Sequence, residues 1–313
     1  MRASRPRILP RRRRLRRLLP PVHLLILSAC LCCSCASLKG AATAEEYYAL
    51  GQAYFELGRY DEAERWFNRA LAADKTKTAS QYNLGRIAFE QGRYGEALRI
   101  FDGILADDPG NVLALKAAAY TRIKTGEPEK AEALYNRVLE LVPESADDGY
   151  NYALVLSALN KHDKAEEVLS RYPFALDENG SALLLLARVQ RAQNKVEAAD
   201  TYGRWLQNNS DPQARYEYAQ ALEQGAFYAR ALEEYRGILE SVKPGEKPPR
   251  PELRFALARL LLIADSQNEE GLTELKAALS EGFDGEDKLR ELLADSRISP
   301  SHKEAIEQML SGE

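Results

Sequence analysis

Gly58-Arg59-Tyr60-Asp61-Glu62-Ala63 returns as Gly92-Arg93-Tyr94-Gly95-Glu96-Ala97, and at the same interval again, more loosely, as Gly126-Glu127-Pro128-Glu129-Lys130-Ala131. The alanine continues through Ala63, Ala97, Ala131, Ala165, Ala198 and Ala231. Four residues behind each stands Phe67, Phe101, Tyr135, Leu169, Tyr202 or Tyr235. Two registers kept for six cycles mark a repeat with a period of about 34 residues, whose unit is one helix-turn-helix. Such a unit cannot bury its apolar face alone and must stack on its neighbours.

Composition agrees. Of 313 residues 45% are hydrophobic and 29% charged, and Ala, Leu, Glu and Arg, which lose least on entering a helix, outnumber Val, Ile and Thr. In the first repeat Tyr47, Leu50, Gly51 and Tyr54 share one face at spacings of three and four. Gly58 ends that helix, and Ala63, Phe67 and Ala70 mark the second. Small residues recur where helices must cross, as Gly51, Gly85, Ala119, Ala153 and Ala219 in the first helices and as the alanine series in the second.

The N-terminal stretch, up to Gly40, differs. Residues 1–29 hold nine arginines and no acidic residue, and Leu18 to Cys33 is mostly apolar but interrupted by Pro20, Pro21 and His23. Basic then apolar is the layout of a secretory signal, and the paired prolines argue against a retained membrane-spanning helix. The run ends in Leu27-Ser28-Ala29-Cys30, which resembles a bacterial lipobox. That resemblance implies a lipid on Cys30, removal of residues 1–29, and membrane anchoring through the lipid. It further implies a protein facing the periplasm, with the outer membrane favoured because Leu31 stands where an inner-membrane retention aspartate is absent. Cys35 is the alternative lipid site. All four cysteines fall between Cys30 and Cys35, so the rest of the chain has no disulfide and no cysteine-held metal.

Without residues 1–29 the chain keeps 34 basic against 47 acidic residues, a net charge near −13. That balance repels nucleic acid, and no basic stripe with interleaved aromatics follows Gly40.

The repeating residues resemble the tetratricopeptide repeat (TPR) family, whose pattern has an aromatic, Leu, Gly and Tyr in the first helix and Ala, an aromatic and Ala in the second. The resemblance implies an all-α fold, a right-handed superhelical solenoid. We place six repeats in residues 44–245, at 44–77, 78–111, 112–145, 146–178, 179–211 and 212–245, after a lipidated N-terminus and spacer at 30–43. Pro109 and Pro143 match the family's terminal proline. Asn160 replaces the turn glycine in repeat four, and Leu185-Leu186 stands where Leu and Gly belong in repeat five. Residues 246–251 read as a proline-rich linker. Residues 252–313 then read as a divergent seventh repeat, with Leu275 in the aromatic's place, and two capping helices, the last with Ser299 as N-cap and Pro300 in its first turn.

No Gly-rich phosphate loop, His-Glu-x-x-His or Gly-x-Ser-x-Gly is present, and the three histidines are scattered, so no catalytic residue and no cofactor is assigned. In the family the inner wall is built from first-helix residues. Threading places Tyr48, Tyr82, Tyr150 and Tyr216 at equivalent positions, with Phe55 and Phe89 on the same wall. Tyrosine supplies rigid apolar area with a polar tip, so these six are the candidate groove for a protein or extended-peptide partner. The family's carboxylate clamp is not matched: only Asn83 fits, while Tyr48 and Gln52 hold the first repeat's clamp places. A competing reading, an accessory to solute transport, expects an enclosed apolar cavity lined by the Leu183 to Leu186 run.

Overall fold

The computed structural model describes residues 43–73, 78–178, 180–243, 245–264 and 269–311. The signal segment and the cysteine cluster, with Cys30 and Cys35, lie outside the described residues. In chain order the first repeats supply α1 (Ala44–Glu56), α2 (Tyr60–Ala73), α3 (Thr78–Glu90), α4 (Tyr94–Asp107), α5 (Val112–Lys124) and α6 (Pro128–Leu141). Next come α7 (Ala146–Ala158), α8 (His162–Ser170), the short α9 (Pro173–Glu178), α10 (Gly180–Ala192), α11 (Glu197–Leu206), α12 (Pro212–Gln224) and α13 (Tyr228–Ser241). The C-terminal part holds α14 (Arg250–Ala264), α15 (Glu269–Ser280), α16 (Glu286–Ala294) and α17 (Pro300–Ser311). Among the described residues every regular element is a helix, and the fold is an all-α solenoid. The chain divides into two compact bodies, one ending at Ile87 and one beginning at Ala88.

First and second helices start differently. Thr43 closes a capping box on α1, its hydroxyl accepting from Glu46 N–H while the Glu46 carboxylate accepts from Thr43 N–H. Asn111, Ser145 and Asp211 accept from the first turns of α5, α7 and α12. By contrast α4, α6, α8 and α13 begin with no side-chain cap. They emerge directly from the turn that ends the helix before.

That turn is the repeated device. The backbone is left-handed at Gly58, Gly92, Gly126, Asn160, Asn194 and Ala226, with φ of 69, 74, 75, 56, 55 and 60°. The N–H of the next residue reaches back five positions each time: Arg59 to Tyr54, Arg93 to Ala88, Glu127 to Arg122, Lys161 to Leu156, Lys195 to Gln190 and Phe227 to Leu222, all at 2.8–3.0 Å. This closes a Schellman motif, which satisfies helix carbonyls while reversing the chain. Asparagine tolerates the left-handed region, so Asn160 does in repeat four what glycine does before it.

The crossings behave as their spacing demands. Ala63, Ala97, Ala131, Ala165, Ala198 and Ala231 have no exposed surface, and Phe67, Phe101, Tyr135, Leu169, Tyr202, Tyr235 and Leu275 are buried behind them. Burying each large side chain contributes roughly 1.5–3 kcal/mol. In the N-terminal body a Cβ on Gly51 would lie 2.7 Å from the Phe67 ring, so the glycine is what lets α1 and α2 close. In the C-terminal body Gly271 does the same, its would-be Cβ 2.7 Å from Leu262.

Repeat five is corrected in detail. Leu185 and Leu186 are not the crossing residues; the small side chain is the fully buried Ala187, one full period after Ala153. The register therefore survives α9 and shortens only afterwards, with Ala219 arriving two positions early. The short α9 is accommodated because Gly149 leaves room for the Tyr172 ring, whose hydroxyl donates to Pro143 O at 2.7 Å. The helix after the proline-rich stretch begins at Arg250, inside the expected 246–251 linker. Pro251 sits in the first turn, where a missing N–H leaves no bond unmade. Ser299 caps α17 as its sequence implies, accepting from His302 N–H at 3.2 Å.

Ala226 is the one alanine in this left-handed series. Ala226→Gly is expected to stabilise the C-terminal body by about 1 kcal/mol, and Gly92→Ala to destabilise it by a similar amount. Urea denaturation followed by circular dichroism checks both; equal midpoints for Ala226→Gly and wild type would show that the turn carries no strain.

Candidate functional site

The outward face of a first helix is set by its small residue. Ala119 and Ala153 are buried in one core cluster, so the residues that follow them, Tyr120 and Leu154, emerge beside that seam. On α5 the spacing of three, four and four brings Leu113, Lys116, Tyr120 and Lys124 onto one stripe. Leu113 is 58% exposed, Tyr120 47%, Leu154 40% and Ile123 37%. Phe89, half-buried on α3, extends the patch with its ring 5.2 Å from Tyr120 and 5.3 Å from Tyr94.

What holds the stripe in place lies beneath it. Lys116 on α5 sets its ammonium 2.6 Å from Oδ1 of Asp148, a carboxylate only 2% exposed at the start of α7. The Ser145 hydroxyl donates to the other oxygen of Asp148 at 2.7 Å. A buried carboxylate must be paired to be tolerated, and this pairing ties two successive first helices together. Tyr135 of α6 packs below in the same cluster. Burial, with the Asp148 carboxylate second, pushes its phenol up to about 12.

The six aromatic residues expected to form the groove are all half-buried. In the N-terminal body Tyr48 meets Phe67 edge-on at 5.5 Å, and its hydroxyl accepts from Asn83 at 3.0 Å and Gln52 at 3.1 Å. The clamp-position residues are thus engaged with one another. Phe55 meets Tyr60 in a tilted contact at 5.5 Å and carries the Arg86 guanidinium 4.3 Å above its ring. Tyr82 is on the following first helix of that body. In the C-terminal body Tyr150 leans on the core that contains Tyr152 and Leu156. Tyr216 packs 5.7 Å from Tyr235, and burial raises its phenol against an opposing hydrogen bond from Gln220. It lines a small pocket of about 200 Å³ together with Gln220, Phe255, Arg259 and Lys288. Each of these rings therefore divides its area between packing and solvent.

Leu113, Tyr120, Ile123 and Leu154 were not singled out by the sequence reading. A signal existed: Tyr120 and Leu154 stand one period apart, each directly after a crossing alanine. Farther along, the same wall turns polar. Arg188 donates to both carboxylate oxygens of Glu217, at 2.7 and 3.3 Å, and the Tyr202 hydroxyl donates to Glu217 at 3.1 Å. Arg259 pairs with Glu223. Among the described residues no group of three or more His, Cys, Asp or Glu side chains is placed to hold a metal, and no helix is long and apolar enough to cross a membrane.

Profiles of the tetratricopeptide repeat family match residues 40–78 and 48–112, and a second such profile matches 88–149. Together these matches cover residues 40–149, where the sequence is similar to tetratricopeptide repeats. It is similar to an uncharacterized lipoprotein of Treponema pallidum, 29% identical over 156 residues that cover 50% of this chain and 80% of the relative. Its fold matches a tetratricopeptide repeat protein from Parabacteroides merdae, with TM-score 0.54 and 22% identity, over 80% of this chain and 97% of that one. Repeats of this kind suggest a protein-interaction scaffold, and the structural likeness is one of fold.

The Tyr135 phenol gives a pH test of the support under the stripe. An unfolded tyrosine ionises near 10, the folded one near 12, so above pH 10 the unfolded chain releases a proton that the folded chain retains. Stability is fully present below pH 10 and falls as pH rises toward 12, with about 2 kcal/mol of the loss at pH 12 owing to this group. Tyr135→Phe should lose correspondingly less stability between pH 10 and 12 in urea titrations. Identical slopes for the two proteins would show that Tyr135 is not held in this environment.

Proposed function

We propose that this protein is a lipid-anchored adaptor of the bacterial cell envelope that binds a protein or peptide partner through its first-helix wall and so supports the assembly or stability of an envelope complex. Three lines support the anchoring: the basic and apolar N-terminus, the lipobox-like Leu27-Ser28-Ala29-Cys30, and similarity to a relative described as a lipoprotein. A periplasm-facing location, in the outer rather than the inner membrane, follows from export and from Leu31 after the cysteine. No nucleic acid, cofactor or catalytic residue enters this reading.

The observation that carries the binding role is the exposed apolar wall. Leu113, Tyr120, Ile123 and Leu154 remain in water on faces whose buried side is densely packed. A cluster of that kind marks an interaction site. Tyr48, Phe55, Tyr82, Phe89, Tyr150 and Tyr216 belong to first-helix faces of the same kind and are proposed as further contact residues. The solute-transport alternative needs space at Leu183 to Leu186. There Leu183, Leu185 and Leu186 pack into the core with Leu156, Val189 and Trp205.

Two measurements test the proposal. A photoreactive amino acid at Tyr82 or Tyr150 should crosslink a defined protein in living cells, whereas one at the exposed second-helix residue Glu233 should not. Capture at Glu233 alone would place the partner on the other face. Metabolic labelling with a fatty acid should mark the native chain and be lost in Cys30→Ala. Label that persists would move the lipid to Cys35.

A further inference from the structure

Ten large apolar side chains are exposed among the described residues, and four of them, Leu113, Tyr120, Ile123 and Leu154, belong to just two successive first helices, α5 and α7. The other six are scattered, from Leu50 to Leu310. This concentration is accompanied by an uneven charge pattern. Lys116 is neutralised by Asp148, so it adds no net charge. Lys124, in the last turn of α5, is exposed and holds its ammonium 5.3 Å from the centre of the Tyr120 ring. Among the described residues no carboxylate stands within ion-pair distance of it. At the opposite end of the stripe the exposed Asp147 lies in the first turn of α7. The patch is thus apolar in the middle, acidic at its start and basic at its end, on a chain whose charge after Ala29 is near −13.

We infer that the α5–α7 stripe is the seat of a peptide segment from another protein that carries a bulky apolar residue and, within about four residues of it, a carboxylate. The apolar side chain covers Tyr120 and Leu154, and the carboxylate meets Lys124. Charge complementarity selects this occupant. An ammonium held against an aromatic ring is already oriented, so an arriving carboxylate gains an ion pair with little ordering of the lysine. A second copy of this chain is disfavoured because two bodies of net charge near −13 repel. The length fits: Tyr120 to Lys124 is about 6 Å along a helix axis, the reach of two extended residues. This inference rests on the partner-binding reading and narrows it to one place and one chemistry.

The test is selection of a random peptide library on the purified full chain, followed by fluorescence anisotropy of the enriched peptides. Enriched sequences should pair Phe, Trp or Leu with Asp or Glu within four positions. Tyr120→Ser should weaken them about tenfold or more. Lys124→Glu, a change at an exposed position that leaves the fold intact, should weaken them similarly and should enrich Lys or Arg peptides when it is itself used for selection. Unchanged affinity in both variants, with loss in Tyr216→Ser instead, would overturn the α5–α7 seat while leaving the wall as a binding surface. Failure to enrich any peptide overturns it too, and crosslinking at Tyr82 then decides the broader reading separately. Binding of anionic vesicles that Tyr120→Ser abolishes, with no peptide enriched, would assign the stripe to a lipid surface and overturn the peptide.

Discussion

Close approach of two helices at an alanine or glycine is the constraint on which everything else depends. A pair of this length has too little apolar face to be stable alone, and most helical stability comes from tertiary packing. The crossing residue must therefore be small enough to bring the aromatic four positions later into the next layer. Ala131 with Tyr135, Ala198 with Tyr202 and Ala231 with Tyr235 are all buried in this way. A large residue at the alanine overpacks the crossing, and a small one at the aromatic leaves a cavity.

Between layers, polar side chains set the register that apolar packing leaves loose. Glu132 of α6 pairs with Lys161 before α8, and Glu166 of α8 pairs with Lys195 before α11; both partners advance by one full period. These pairs are partly exposed and individually contribute little. Their value is positional, since a slipped layer would take each carboxylate away from its cation. Deeper in the same region the Thr201 hydroxyl donates to Gln190, whose amide donates to Glu166, so the ladder is anchored to buried groups.

The exposed first-helix wall follows from the same geometry. First helices alternate with second helices, and once crossings and aromatics have used the inner positions, the residue after each crossing alanine has nowhere to go but solvent. The identity of that residue is therefore free to vary between repeats. It is Tyr120, Leu154, Arg188 and Gln220 in turn. The wall changes from apolar to polar along the chain while the scaffold beneath stays constant. Scaffold positions and exposed wall positions are separated in the sequence, which lets one change without the other.

Helix pairs, their turns, the buried alanine and aromatic series and the capping of the final helix were legible in the residues, because each depends on local spacing or on an intrinsic backbone preference repeated many times. In repeat five the crossing falls at Ala187, one full period after Ala153, and not at the Leu185-Leu186 pair, whose larger side chains pack into the core beside it. The candidate site was legible as a face but not as a patch. Tyr48 and Tyr216 sit on the expected side, yet hydrogen bonds from Asn83 and Gln52 and packing on Tyr235 occupy part of each ring. The sequence by itself determined the period, the fold class and the face on which each first helix buries its small residue. Tertiary structure alone decided which side chains on that side are left in water, because exposure depends on neighbours a full repeat away that no local spacing records.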